Sequence, residues 1–185
     1  MESEFDRIMD VVTRQLPADG IPCLMIGGHA VNHYGVMRAT QDIDFMIAAS
    51  DADAVRHIMR NAGFTNLAVH ETVMFFNRPG SPLRVDFLKV EQGTLRKLLE
   101  HAVTTTYAGS GYVRVPQLKD LMAMKLFALT TGGPKRMDKD FSDIVHLAIE
   151  NQVDVETDLK PLCHAFGTEA IYAALRVRIE ELRHA

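Results

Sequence analysis

The sequence has little cysteine and no apparent redox or zinc motif. Its two cysteines, Cys23 and Cys163, lie far apart in apolar surroundings and form no C-x-x-C pair. A zinc ribbon or a dithiol redox centre is therefore not supported. We expect two buried thiols in a reducing compartment.

Long hydrophobic runs and an excess of positive charge are also absent. No apolar stretch approaches the roughly 20 residues that span a bilayer, and residues 1–10 are acidic and polar, unlike a signal peptide. The formal net charge of −4 provides no overall field for bulk binding of duplex DNA, but it leaves room for a local basic pocket. We expect a soluble, cytoplasmic protein that does not bind membranes.

The hydrophobic pattern predicts an α+β (α/β) protein. The 185 residues suffice for one domain or two small lobes. We expect a short mixed β-sheet flanked by helices in residues 1–115, followed by a helical lobe in residues 116–185. Strands are predicted at 23–26, 42–49, 64–70, 72–77, 83–89, 103–107 and 112–115. Helices are predicted at 5–16, 29–34, 50–63, 94–102, 118–129, 141–149, 158–166 and 168–183, with a loop at 131–140.

Two carboxylates share one face of the strand predicted at 42–49. Residues i and i+2 of a strand point the same way, so Asp42 and Asp44 face one side while Ile43 and Phe45 face the core. Two neighbouring carboxylates repel each other unless a positive partner lies between them, and hard oxygen ligands suit magnesium. If strand 83–89 pairs beside this one, Asp86 could join them, and three carboxylates can hold two metal ions. A solvent-facing role for Asp86 is about equally plausible.

A Gly-Gly pair follows the first predicted strand and opens a helix. Gly27 and Gly28 would let a phosphate approach backbone N–H groups at the positive end of that helix. Gly-Gly turns are also common where they only connect a strand to a helix and bind no ligand. Followed by Asp42 and Asp44, however, the pair predicts a phosphate-binding turn next to a metal site.

The combined pattern resembles the nucleotidyltransferase superfamily with a polymerase-beta-type catalytic core. The matching residues are 26-IGG-28, thirteen intervening residues, and 42-DIDF-45, with Arg38 and Thr40 in an R-x-T just before the second element. This longer string is similar to the small bacterial branch that includes minimal nucleotidyltransferases and abortive-infection toxin components. Lys125 and the pair Lys139-Asp140 give weaker support.

The resemblance implies a chemistry and a set of roles. The reaction would be attack of a hydroxyl on the α-phosphate of a nucleoside triphosphate, such as ATP, with release of pyrophosphate. Two Mg²⁺ or Mn²⁺ ions would accompany the nucleotide. The acceptor could be a protein, an RNA end such as that of tRNA, or a small molecule, and a cognate antitoxin is an expected partner. The implied catalytic and metal-binding residues are Asp42, Asp44 and Asp86; the implied nucleotide-binding residues are Gly27, Gly28, His29, Arg38, Thr40, Lys125 and Lys139.

Lys125 is the basic residue whose position in the sequence is most informative. It falls in the centre of an apolar helical stripe, between Leu121 and Leu129. A lysine there must extend to the surface or meet an anion, and similar proteins carry a lysine that faces the nucleotide phosphates. For Lys139, structural and acceptor-side roles are hard to separate.

Two other classes of function compete with the enzyme. One is a nucleotide-binding module that has kept the fold, lost turnover, and acts through a partner. The other is a zinc hydrolase using His29 and His33, which lie at i and i+4 of a predicted helix. The glutamate of H-E-x-x-H is missing, since Ala30 stands in its place, so this second alternative is remote.

Overall fold

The structure is a computed structural model that describes residues 3–106, 111–132 and 134–184. The strands are β1 Leu24–Ile26, β2 Asp42–Ala48, β3 Thr65–Val69, β4 Val73–Asn77, β5 Arg84–Val90, β6 Val103–Thr106 and β7 Tyr112–Val115. The α-helices are α1 Glu4–Asp10, α2 Gly27–His33, α3 Ala52–Asn61, α4 Gln92–Glu100, α5 Leu118–Thr131, α6 Pro134–Glu150, α7 Lys160–Phe166 and α8 Glu169–Arg183. Helix α1 continues through a π-helical stretch, Val11–Gln15, and a short turn, Leu16–Ala18; further short elements are a 3₁₀ turn, Ala49–Asp51, and a π-helical stretch, Val155–Leu159.

The main sheet is mixed and has the strand order β1-β2-β5-β4-β3. Strand β2 pairs with β5 in parallel, whereas the pairs β1–β2, β4–β5 and β3–β4 are antiparallel. Strands β6 and β7 form a separate antiparallel ribbon. The α+β class predicted from the sequence is confirmed.

Alternation along the central strands separates a core face from a polar face. In β2, Ile43, Phe45 and Ile47 are fully buried, and in β5 Val85 and Phe87 are fully buried as well. The rings of Phe45 and Phe87 stack with centroids 5.6 Å apart. This packing fixes the register, because a slip of one residue would turn every buried side chain to the other face.

The chain divides into two compact units. The first comprises residues up to Ala30 together with Ala39–Gln117, and the second comprises Val31–Arg38 and Leu118–Ala185. In the second unit α5 packs against α6 and α7, and α6 packs against α8. The sequence predicts two domains that divide after residue 115, and this division remains a prediction.

Two local expectations about helix starts are corrected. The loop predicted at 131–140 is helical from Pro134 onward, because proline suits the first turn of a helix, where its missing N–H has no partner to lose. Ser50 resembles the N-cap of a capping box with Asp53, but the helix begins at Ala52 after a 3₁₀ turn, with Asp51 at the N-cap position. The glycine-rich turn predicted between β6 and β7 lies mostly outside the described residues.

Two further features are the apolar character of the helices and the environment of the two cysteines. None of the helices among the described residues combines the length and apolar character needed to cross a membrane. Both cysteines are free thiols. Burial raises the pKa of Cys23 to about 12 and that of Cys163 to about 11, so both thiols stay protonated at neutral pH.

Candidate active site

Three carboxylates lie on the polar side of the two central strands. Asp42 and Asp44 occupy alternate positions of β2, and the parallel register sets Asp44 directly beside Asp86 of β5. The side chain of Asp86 is buried, whereas Asp42 and Asp44 are half-buried. From the sequence, Asp86 would join Asp42 and Asp44 only if strand 83–89 pairs beside strand 42–49. In the structure these two strands do pair.

Gly27 lies directly against the carboxylate of Asp44. Strand β1 pairs with β2 so that Ile26 is opposite Asp44, and Gly27 follows with φ +64°. A Cβ at Gly27 would overlap the Oδ2 atom of Asp44. Only glycine combines this backbone conformation with so close an approach. The glycine turn and the carboxylates therefore meet at one place, with Gly28 buried just inside helix α2.

A basic side chain bridges two of the three carboxylates. The guanidinium of Arg84 donates from Nη2 to Oδ2 of Asp42 at 2.7 Å. It also donates from Nε to Oδ1 of Asp86 at 2.8 Å and from Nη2 to Oδ2 of Asp86 at 2.9 Å. The guanidinium carbon lies 5.1 Å from the centroid of the Phe75 ring. Arg84 therefore acts as the internal cation of this carboxylate cluster.

Burial and neighbouring charges shift the ionisation of this cluster. Burial raises the pKa of Asp86 to about 6, and the charges of Asp44 and Asp42 act in the same direction, while Arg84 opposes them. Burial works against the charged form of Arg84, yet its hydrogen bond to Asp86 and the nearby carboxylates raise the pKa of the guanidinium overall. The cluster is thus a site where added positive charge is favourable.

The three carboxylates fit a divalent cation by their chemistry. They supply hard oxygen atoms, which Mg²⁺ prefers, and the missing Cβ of Gly27 leaves the room that the Asp44 carboxylate occupies. Within the described residues, however, no three His, Cys, Asp or Glu side chains are gathered closely enough to hold a metal ion. Two of the three carboxylates are instead gathered around Arg84.

Replacing Gly27 with alanine should damage this arrangement. A non-glycine residue in the left-handed region is strained by roughly 1–2 kcal/mol, and the new methyl group would also push Asp44 aside. We expect a lower free energy of unfolding, measured by thermal denaturation, and a large loss of the nucleotidyl transfer that the sequence resemblance implies. Gly80→Ala is the matched control, since Gly80 has φ +81° and a methyl group added there would meet nothing within 4 Å. Equal losses of stability and activity in both variants would show that contact with Asp44 is unimportant.

The second compact unit contains a buried ion-pair network around Lys125. Its Nζ donates to Oδ1 of Asp140 at 2.6 Å and to Oδ2 of Asp143 at 2.7 Å. Arg38 adds a second cation, with Nε 2.8 Å from Oδ1 of Asp143. Lys125, Asp140 and Asp143 are all buried. The anions expected beside this lysine are thus provided by helix α6, and its predicted contact with nucleotide phosphate remains a prediction.

The other predicted nucleotide-binding residues lie in varied surroundings. His29 is half-buried near the ring of Phe5, with centroids 6.0 Å apart. The Thr40 hydroxyl donates to the carbonyl of Asp42 at 3.2 Å, and Lys139 is exposed on α6. Their roles toward a nucleotide remain predictions.

A zinc site at His29 and His33 gains no support. His33 packs edge-on against the ring of Tyr34, with centroids 4.9 Å apart, and burial lowers its pKa. In the part of the chain that the structure describes, no group of three suitable ligands includes either histidine.

The sequence reasoning missed two participants of these clusters. The sequence analysis predicts no role for Arg84, although the i, i+2 spacing in R-x-D indicates that its side chain and that of Asp86 point the same way. The tie between Arg38 and Asp143 joins residues more than a hundred positions apart. No local signal in the sequence could have revealed it.

The fold resembles those of solved nucleotidyltransferases at low sequence identity. The antibiotic-resistance factor ANT(2'')-Ia aligns with a TM-score of 0.64 at 14% identity, covering 100% of this chain and 97% of that chain. The lincosamide antibiotic adenylyltransferase LnuA aligns with a TM-score of 0.53 at 13% identity, over 78% and 96% of the two chains. A putative nucleotidyltransferase from Thermotoga maritima gives a TM-score of 0.53 at 15% identity, over 76% and 94%. Sequence identities this low show a shared fold and do not show a shared function.

A match to a family model defines the class of protein as a nucleotidyltransferase. The family model described as "Nucleotidyl transferase AbiEii toxin, Type IV TA system" matches residues 10–182. The chain therefore belongs to the AbiEii family of nucleotidyltransferase toxins, which confirms the resemblance to abortive-infection toxin components. No functionally curated protein matches the sequence closely enough to count as a relative.

Proposed function

We propose that this protein is a metal-dependent nucleotidyltransferase that moves a nucleoside monophosphate from a nucleoside triphosphate to a hydroxyl acceptor, as the toxin of a toxin–antitoxin pair. Family membership supports the transfer and the toxin role. The observation that carries the proposal is the close approach of Gly27 to Asp44, beside Asp86 in the neighbouring parallel strand. The Gly-Gly turn and the acidic side chains are thus side by side, which supports a phosphate-binding role for the turn.

Each residue of the cluster has a proposed part in the transfer. Asp42, Asp44 and Asp86 would hold the divalent cations, which would supply positive charge beside the triphosphate and favour deprotonation of the acceptor hydroxyl. Gly27 and Gly28 allow the triphosphate to approach the backbone closely. Asp86 also accepts the proton of the acceptor hydroxyl as that oxygen attacks the α-phosphorus. The bond from the α-phosphorus to the bridging oxygen breaks, and pyrophosphate leaves.

The nature of the acceptor is a separate question. One solved structure of ANT(2'')-Ia contains adenylyl-2''-tobramycin, and LnuA was solved with lincomycin bound. The toxin family favours an acceptor inside the cell whose modification stops growth, which fits a protein or an RNA end better than an antibiotic. ATP is the first nucleotide to test, and a cognate antitoxin is the proposed partner.

Label transfer into a cell extract tests the proposed function. The purified protein would be incubated with each α-³²P-labelled nucleoside triphosphate, Mg²⁺ and total extract, followed by protease or ribonuclease treatment. We expect radioactivity in a macromolecule that one of these two treatments removes, and none when EDTA is added. Saturable triphosphate binding without label transfer would instead support the nucleotide-binding module.

A second arm of the same assay addresses small acceptors. Extract would be replaced by an aminoglycoside or a lincosamide, with products separated by thin-layer chromatography. Label on the antibiotic and none on macromolecules would place this protein with the antibiotic-modifying enzymes and contradict the toxin role.

A further inference from the structure

Arg84 lies where it can control access of metal ions to the carboxylates. We propose that Arg84 is a positioning residue that competes with divalent cations for Asp42 and Asp86, so that metal binding displaces its guanidinium from the cluster. This inference rests on the proposed function, because it assumes that these carboxylates take up a metal. It adds a role that the family assignment does not supply.

The guanidinium engages the oxygen atoms that a metal would need. Both oxygens of Asp86 and one oxygen of Asp42 accept hydrogen bonds from Arg84, at 2.7–2.9 Å. Hydrogen bonds between ionised partners at such distances are among the strongest in proteins, and the fork of arginine holds a carboxylate in a fixed orientation. Asp86 is 7% exposed, so its oxygens have little other surface to offer.

Coulomb repulsion prevents the Arg84 guanidinium and a divalent metal ion from binding the same carboxylates together. A guanidinium within roughly 4 Å of a divalent ion repels it by several kcal/mol at the effective dielectric constant near a protein surface. Arg84 cannot relieve the repulsion by losing its proton, because arginine remains charged in proteins. The side chain therefore has to swing away when a metal ion binds these carboxylates.

The guanidinium of Arg84 has room to move away from the carboxylates. Its side chain is 41% exposed, so release toward water needs no rearrangement of the core. The face of the half-buried Phe75 ring is already within cation–π range, at 5.1 Å. This contact is made by the guanidinium itself, so the ring can continue to hold that group when it leaves the carboxylates. Arg84 thus offsets part of the negative charge of the acidic cluster before metal binds, and it gives way to metal.

Metal binding without nucleotide tests the exchange directly. Mn²⁺ would be titrated into the full-length protein, with free Mn²⁺ followed by electron paramagnetic resonance. Removing three hydrogen bonds to charged groups, two of them on a buried carboxylate, should lower the Mn²⁺ dissociation constant of Arg84→Gln by about tenfold, after allowance for the exposure of the guanidinium. Arg84→Lys keeps the charge but loses the fork, and we expect a value between those of Arg84→Gln and the wild type.

Arg56→Gln is the matched control for overall charge. Arg56 pairs with the exposed Asp53 on helix α3 at 2.7 Å, so this change removes the same charge from a surface pair. Its Mn²⁺ affinity should equal that of the wild type. If Arg84→Gln proves too unstable to titrate, the shift in Arg84→Lys decides the question.

The possible outcomes separate the two proposals. Equal or weaker Mn²⁺ binding by folded Arg84→Gln overturns the competition, and the proposed function survives if Asp44→Asn then abolishes Mn²⁺ binding. If neither the wild type nor Arg84→Gln binds Mn²⁺ at millimolar concentration, the metal site itself is wrong and both proposals fall. Tighter binding that Asp44→Asn abolishes supports both.

Discussion

Replacing Asp44 with asparagine should abolish nucleotidyl transfer, lowering turnover by about a thousandfold or more, since each 1.36 kcal/mol lost from transition-state stabilisation is a factor of ten. Asparagine keeps the shape of the side chain but removes the negative charge that would hold a cation. The fold should survive, because Asp44 lies on the half-buried polar face of β2 and the change relieves repulsion with its neighbour Asp86.

The measurement is label transfer, with thermal denaturation as the check on folding. Asp53→Asn makes the same chemical change at an exposed position of helix α3 and should leave turnover unchanged. Expression of the wild type should arrest growth of a host cell, and expression of Asp44→Asn should not. If Asp42→Asn and Asp44→Asn both keep wild-type turnover, the assignment of this active site is wrong.

Strand alternation made the carboxylate face predictable. Because the period of a strand is two, the apolar residues at 43, 45 and 47 had to face the core, and Asp42 and Asp44 had to face away. The pairing with β5 was a weaker inference, since nothing in a strand sequence states which neighbour it takes. The parallel pairing of these strands is fixed by tertiary packing of the whole sheet.

Helix ends were predicted less well than helix centres. The apolar periodicity at 141–149 was correct, yet the helix begins at Pro134, seven residues earlier. Proline and glycine at 132–134 were interpreted as loop residues, although proline is also favourable at the first turn of a helix. Proline is therefore compatible with a loop and with the start of a helix, and only the packing of α6 against α5 decides between the two.

The partners of charged residues could not be predicted from local pattern. The helical wheel placed Lys125 in an apolar stripe and so predicted that it either extends to the surface or meets an anion. The structure shows that Asp140 and Asp143 provide it. A wheel describes one helix, whereas an ion pair between helices depends on how they pack.

Replacing Lys125 with methionine should destabilise the protein by about 3–5 kcal/mol, because removing one partner of a buried ion pair leaves uncompensated charge in the interior. Methionine fills nearly the same volume, so a cavity contributes little. Asp140 would lose its 2.6 Å contact, and its other close cation, Arg136, is 3.7 Å away on an exposed side chain. Asp143 would keep Arg38. Thermal denaturation should show a midpoint lower by roughly 10 °C.

Two variants separate loss of this network from loss of surface charge. Lys139→Met removes the same charge from an exposed position of α6 and should change the free energy of unfolding by less than about 0.5 kcal/mol. Adding Asp140→Asn to Lys125→Met should recover part of the lost stability, since one uncompensated carboxylate disappears. A Lys125→Met protein as stable as the wild type would contradict a structural role for the network. If that stable variant had also lost triphosphate binding, Lys125 would act on the nucleotide, as the sequence predicts.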